Sequence, residues 1–151
     1  MKQIIDLTLS TKNAQSLFKR FKRPIIWHLY PFKDGLNPKI NELVNAQLIH
    51  LLEKEKALNA SIANNHLEES YKEFNKTNVK ESVTFKVAIK CPEQMRSIMM
   101  LELFDECQMH ATFLWINSIL TTDEYKRLNK KNYNRFVNFV AHLIAYSKKS
   151  S

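Results

Sequence analysis

The side chains able to carry chemistry in this 151-residue chain fall into three groups, of which one has a readable pattern. The five histidines, His28, His50, His66, His110 and His142, are scattered, and no HExxH, CxxC, nucleophile elbow or phosphate-binding glycine loop surrounds them. An enzyme is not expected, nor a small-molecule substrate. Cys107 and His110 have the spacing of two residues on one helix face, but two ligands do not make a zinc site. Both read as core residues of an apolar helix, and neither metal nor cofactor is expected.

The group with a pattern is the octet at residues 83–90. Val83, Phe85, Val87 and Ile89 alternate with Thr84, Lys86, Ala88 and Lys90. Side chains on a strand point to opposite faces in turn, so one face is an apolar row and the other is small, polar and basic. A two-stranded ribbon of this kind fits a DNA major groove. Lysine can donate to guanine O6 and N7, threonine can bond either base type, and a small alanine lets the backbone come close. Thr84, Lys86 and Ala88 are therefore the expected base contacts, with Lys90 and Arg96 near phosphates. Two copies of the strand would pair antiparallel across a two-fold axis, giving a homodimer on a palindromic operator. The competing reading is an edge strand whose lysines discourage aggregation.

The third group is the mixture of basic and aromatic residues at 19–33, KRFKRPIIWHLYPFK. Lys19, Arg20, Lys22 and Arg23 could neutralise phosphates while Trp27, Tyr30 or Phe32 stack. A connector with solvated charges and aromatics that cap the core accounts for the same residues.

The elements that must position these groups are mostly helical. One glycine and four prolines leave few sites for tight hairpins. Residues 2–10 alternate weakly and suit a short strand. Ser10 or Thr11 suits the N-cap of a helix through Phe21, with Pro24 expected to end it. The turn signal at residues 34–38 precedes a helix begun by Asn37 and Pro38, with a stripe of Ile40, Val44, Leu48, Leu51 and Leu52 continuing weakly to Leu58 and Ile62. Residues 53–56 read as its solvated end. Leu67, Tyr71 and Phe74 mark a short helix, and residues 75–80 a mobile linker. Cys91, Pro92 and Glu93 then open a helix whose apolar residues wrap nearly all round its axis, as in a helix buried on more than one side. Thr121 and Glu124 form a capping box for the next helix. A polar break is expected at residues 129–132, before a last helix carrying Phe136, Val140 and Leu143. Residues 1–80 thus read as an N-terminal helical extension, and residues 81–151 as a strand-and-helix unit with C-terminal helices.

Composition sets the class of partner. The formal net charge is +8, with 44% hydrophobic and 25% charged residues, an ordinary globular balance that favours an acidic partner. Two cysteines are too few for a disulfide framework, and no secretory signal precedes the first charged segment, so reduced thiols in a cytoplasm are expected. The most apolar window, 98–120, is interrupted by Glu102, Asp105, Glu106, Gln108 and His110 and is no membrane span.

Residues 83–128 resemble a domain family encoded on integrative and conjugative elements and large conjugative plasmids. The matching features are the alternating strand, Pro92 after it, the block Leu101-Glu102-Leu103-Phe104-Asp105, and the helix break at Leu120-Thr121-Thr122. The helix at 38–52 resembles the family's preceding helix. One member is a plasmid regulator, a ribbon-helix-helix transcriptional activator of transfer genes. The resemblance implies a mainly α, ribbon-helix-helix-like dimer with additional helices, binding double-stranded DNA through Thr84, Lys86 and Ala88. Two departures stand out. Residues 105–112 hold no glycine at which two helices would break, and about eighty residues precede the strand. The alternative function is a protein-interaction component of the conjugation machinery, in which the apolar helix at 95–119 docks a partner.

Overall fold

The computed structural model describes residues 2–27 and 38–150. The chain is mainly helical, and among the described residues there are five α-helices and one short two-stranded antiparallel sheet. In chain order the elements are β1 (Gln3–Leu9), α1 (Lys12–Trp27), α2 (Pro38–Asn64), α3 (Glu68–Asn78), β2 (Val83–Ile89), α4 (Pro92–Ile116) and α5 (Thr122–Ser150).

The all-round apolar pattern of α4 makes it the axis of the fold. Ile98, Met100, Leu101, Phe104 and Leu114 are fully enclosed, and α1, α2 and α5 all pack against it. Each such side chain contributes roughly 1.5–3 kcal/mol by leaving water. The main core joins Leu7 and Leu9 of β1, Leu17 of α1, Val44 and Leu51 of α2, Val87 and Ile89 of β2, Phe104 of α4, and Phe136 and Leu143 of α5. A second cluster lies toward the other end of α4, where Phe113 and Leu114 meet Leu58 and Ile62 of α2 and are covered by Leu67, Tyr71 and Phe74. The helical spacing of those last three residues is thus a packing face.

The strand at 83–89 finds its partner within its own chain. The register places Asp6 opposite Lys86, Thr8 opposite Thr84 and Ile4 opposite Ala88. This corrects the expectation that the ribbon forms between two subunits. The physical reason is that β1 supplies a matching apolar row, Ile5, Leu7 and Leu9, so both strands bury the same face on one core.

Four boundaries also differ from the sequence reading. Helix α1 runs through Pro24 to Trp27, although proline has no N–H to donate to the preceding turn. Helix α2 continues past residues 53–56 to Asn64, because Leu58 and Ile62 keep its stripe buried, whereas Leu52 faces solvent. Residues 75–80 are the last turn of α3 and the start of a 3-10 turn at Val79–Glu81, where Thr77 Oγ1 and Asn78 Nδ2 donate to the carbonyls of Glu73 and Phe74. The polar stretch at 129–132 does not interrupt α5: the Gln108 amide on α4 donates to Asn129 Oδ1 at 3.1 Å, and Asn132 is buried. The turn at 34–38 and the Asn37 cap lie outside the described residues.

Two helices end without glycine by putting another residue into the left-handed region. His66 (φ 55°) follows α2 and Ser118 (φ 62°) follows α4. In each case the next residue bonds back into the helix, Leu67 N to Ile62 O at 3.0 Å and Ile119 N to Leu114 O at 2.9 Å, as glycine-ended helices do. The expected Thr121–Glu124 capping box is present, with reciprocal bonds of 3.0 and 3.1 Å.

Candidate nucleic-acid interface

The exposed face of the ribbon carries Ile4, Asp6 and Thr8 from β1 and Thr84, Lys86 and Ala88 from β2. Alternation puts Leu7, Leu9, Val87 and Ile89 on the core, which fixes the other six outward. Thr8 and Thr84 share a hydrogen bond between hydroxyls at 3.0 Å, and Lys86 Nζ lies 2.5 Å from Asp6 Oδ1. Lys86 nonetheless keeps most of its side chain in solvent, at 73% exposure, so the ammonium can be drawn to a stronger anion.

Beside the ribbon, α1 and β2 enclose a groove of about 920 Å³. Lys2, Lys22, Arg23, Lys86 and Lys90 line it, and no carboxylate among the described residues does. Its walls include Phe18 and Phe85, whose rings pack at a 45° tilt with 4.5 Å between centroids. The start of α4 closes one end, where Gln94 Oε1 accepts the Lys90 backbone N–H at 2.7 Å. A positively charged channel with aromatic walls suits a phosphate backbone.

The fold therefore brings together Lys22, Arg23, Lys86, Ala88 and Lys90, which are distant in sequence. Lys19 lies one helical turn before Lys22 and Arg23 on the same face of α1 and extends the basic rim. Arg20 lies aside, its guanidinium 5.0 Å from the centre of the Phe21 ring. Arg96 does not join the groove. Its guanidinium donates to Asn45 Oδ1 at 2.7 Å and reaches Asn41 and Glu93 at 3.4 Å, tying α4 to α2. Stacking by Tyr30 or Phe32 lies outside the described residues, and so does the side chain of Trp27. Sequence reasoning missed Lys2, Asp6, Thr8 and the Phe18–Phe85 pair, all of which depend on the unforeseen partner strand.

On the other side of β1 the charge reverses. A cleft of about 430 Å³ is lined by Asp6, Glu55, Glu102, Asp105 and Glu106, with Tyr71 and His110. Burial, then repulsion from neighbouring carboxylates, raises the pKa values of Glu102 and Glu106 above the usual range. His110 packs edge-on against Tyr71 at 4.7 Å, with Nδ1 3.8 Å from Glu55 Oε1. Burial lowers the His110 pKa, so at neutral pH this is contact with an uncharged imidazole. Among the described residues no cluster has the make-up of a metal site, and no helix is long and apolar enough to cross a membrane.

The fold as a whole matches a solved structure. Aligned with AcaB from uropathogenic E. coli, the chain superposes with a TM-score of 0.62, covering 98% of this chain and 80% of that one at 16% sequence identity. The fold is that of AcaB. At this identity the AcaB likeness is one of architecture, and it agrees with the mainly helical, ribbon-containing class expected from sequence. No family model matches the sequence, and no curated protein does.

Proposed function

We propose that the chain is a sequence-specific DNA-binding transcriptional regulator, an activator of conjugative transfer genes, acting in the cytoplasm. The observation that carries this reading is the groove lined by five basic side chains, with no carboxylate among the described residues, lying directly beside an exposed two-stranded ribbon. Thr84, Lys86 and Ala88 read base edges, while Lys19, Lys22, Arg23 and Lys90 hold phosphates. The AcaB-like fold and the resemblance of residues 83–128 to a family of mobile-element regulators support the same reading. Each copy presents its own ribbon, so a homodimer on a palindromic operator brings two ribbons to two half-sites rather than one shared ribbon to a single site.

Titration of promoter DNA from conjugative transfer operons against scrambled duplex, at two salt concentrations, tests this. Base readout predicts a preference that survives the higher salt and disappears in the Thr84→Ala/Lys86→Ala variant. Equal affinity for both duplexes, or an unchanged preference in that variant, removes the proposal. Light scattering of the DNA complex then counts the copies bound.

The alternative, docking of a protein partner by the apolar helix, has less surface to use than the sequence suggested. Most of α4 is buried within the chain, leaving Met99 and the end carrying Trp115 and Ile116 exposed.

A further inference from the structure

A second positively charged groove lies between α2 and α5, away from the ribbon, and it has the make-up of a binding site. Its volume is about 600 Å³, within the range of small-molecule pockets. Lys54, Lys131 and Arg135 line it with His50 and His142, and no carboxylate among the described residues does. Among the described residues none of those three cations takes part in an ion pair. Gln47, only 3% exposed, also lines the groove, and its Nε2 has no hydrogen-bond partner. A buried amide donor left unpaired is costly, and a small movement of the side chain would offer it to an acceptor in the groove. The local field is positive: burial, then Arg135 and Lys54, lower the proton affinity of His50, against an opposing pull from Glu53.

From this set of donors and cations without acceptors of negative charge, we infer that the α2–α5 groove binds a phosphoryl group, with Lys131 and Arg135 at its mouth and the Gln47 amide at its base. Asn134 and Asn138 stand beside these residues with amides able to meet the rest of the molecule that bears the phosphate. The phosphoryl group belongs either to a free phosphorylated small molecule or to the DNA backbone, and the chemistry at the groove is the same. The inference does not depend on the ribbon reading DNA.

Calorimetric titration of the full chain with inorganic pyrophosphate at fixed ionic strength tests it. Saturable binding is expected, about tenfold or more weaker in Lys131→Gln/Arg135→Gln. It should be unchanged in Lys72→Gln/Lys76→Gln on exposed α3. Lys131 and Arg135 are exposed, so the variant should melt as the parent does. No saturable binding, or the same loss in both variants, overturns the assignment. Where binding holds, repeating the titration on the DNA complex separates the sources: retained pyrophosphate binding supports a free ligand, and displacement with a reduced DNA salt dependence in Lys131→Gln/Arg135→Gln supports the backbone.

Discussion

Asp6 and Lys86, directly opposed on the two strands, form an ion pair that stands at the border between the basic groove and the acidic cleft. Lys86 lines the first and Asp6 the second. The pair is exposed, so its direct contribution to stability is below about 1 kcal/mol. Its larger effect is on any polyanion approaching the ribbon, which Asp6 repels while holding the lysine that would attract it. Asp6→Asn should therefore strengthen DNA binding by up to about fivefold at low salt. Fluorescence anisotropy with labelled duplex measures this, and unchanged or weaker binding would count against the ribbon as the contact face.

Phosphate contacts and base contacts make different predictions. Replacing Lys22, Arg23 and Lys90 with glutamine should weaken promoter and scrambled duplex alike. If all three meet phosphates, the slope of log affinity against log salt should fall by about 3. A titration series across salt concentrations gives the slope directly, and an undiminished slope would place the phosphates elsewhere.

Asp105 of α4 is the joint between the ribbon and α1. Its Oδ1 accepts both the Thr11 N–H at 2.8 Å and the Thr11 hydroxyl at 2.7 Å, while Oδ2 accepts the Ser10 N–H at 2.8 Å. Thr11 Oγ1 in turn caps Ala14 N at 3.3 Å. Asp105→Ala removes a capping partner and strands two backbone donors, a loss of roughly 2–4 kcal/mol. Urea unfolding followed by circular dichroism should show it, with Asp105→Asn losing less.

Cys107 reports on the integrity of the second core cluster. Burial among Phe113, Leu114 and the residues of α2, followed by repulsion from Glu55 and Glu106, pushes its thiol up to about 12. Cys91 is also shifted up by burial. At pH 8 neither should react with a disulfide reagent at an appreciable rate in the native state, because the thiolate is the nucleophile. Both should label fully in denaturant. Prompt labelling of Cys107 in native protein would show that the second core cluster opens readily.

The helices were legible wherever periodicity ran long. The stripe from Ile40 to Ile62 and the Thr121–Glu124 box mark α2 and the start of α5, because a buried face repeats every three to four residues and a cap needs only local chemistry. Boundaries were misread where a polar residue had a distant partner. Asn129 reads as a helix break until Gln108 is found beside it, and 75–80 as a linker until Thr77 and Asn78 are seen closing α3 onto its own carbonyls. The groove residues on α1 and β2 were each named from local composition, but their meeting rests on the pairing of β1 with β2. The clue was present: the register that sets Asp6 against Lys86 also aligns Thr8 with Thr84 and Leu7 with Phe85. An intersubunit pairing satisfies the β2 pattern equally well, so alternation alone could not decide between them.

The ribbon also sets an order of events during synthesis. Thr8 and Thr84, which meet across it, are 76 residues apart. At ~5–20 residues per second the first strand leaves the ribosome roughly 4–15 s before its partner. Through that interval β1 holds an apolar row and two unpaired edges, so the nascent chain depends on helices α1 and α2 for shelter until β2 arrives. A pause in translation between α2 and β2 would lengthen that exposure, and aggregation of stalled chains is the failure this topology is built to risk.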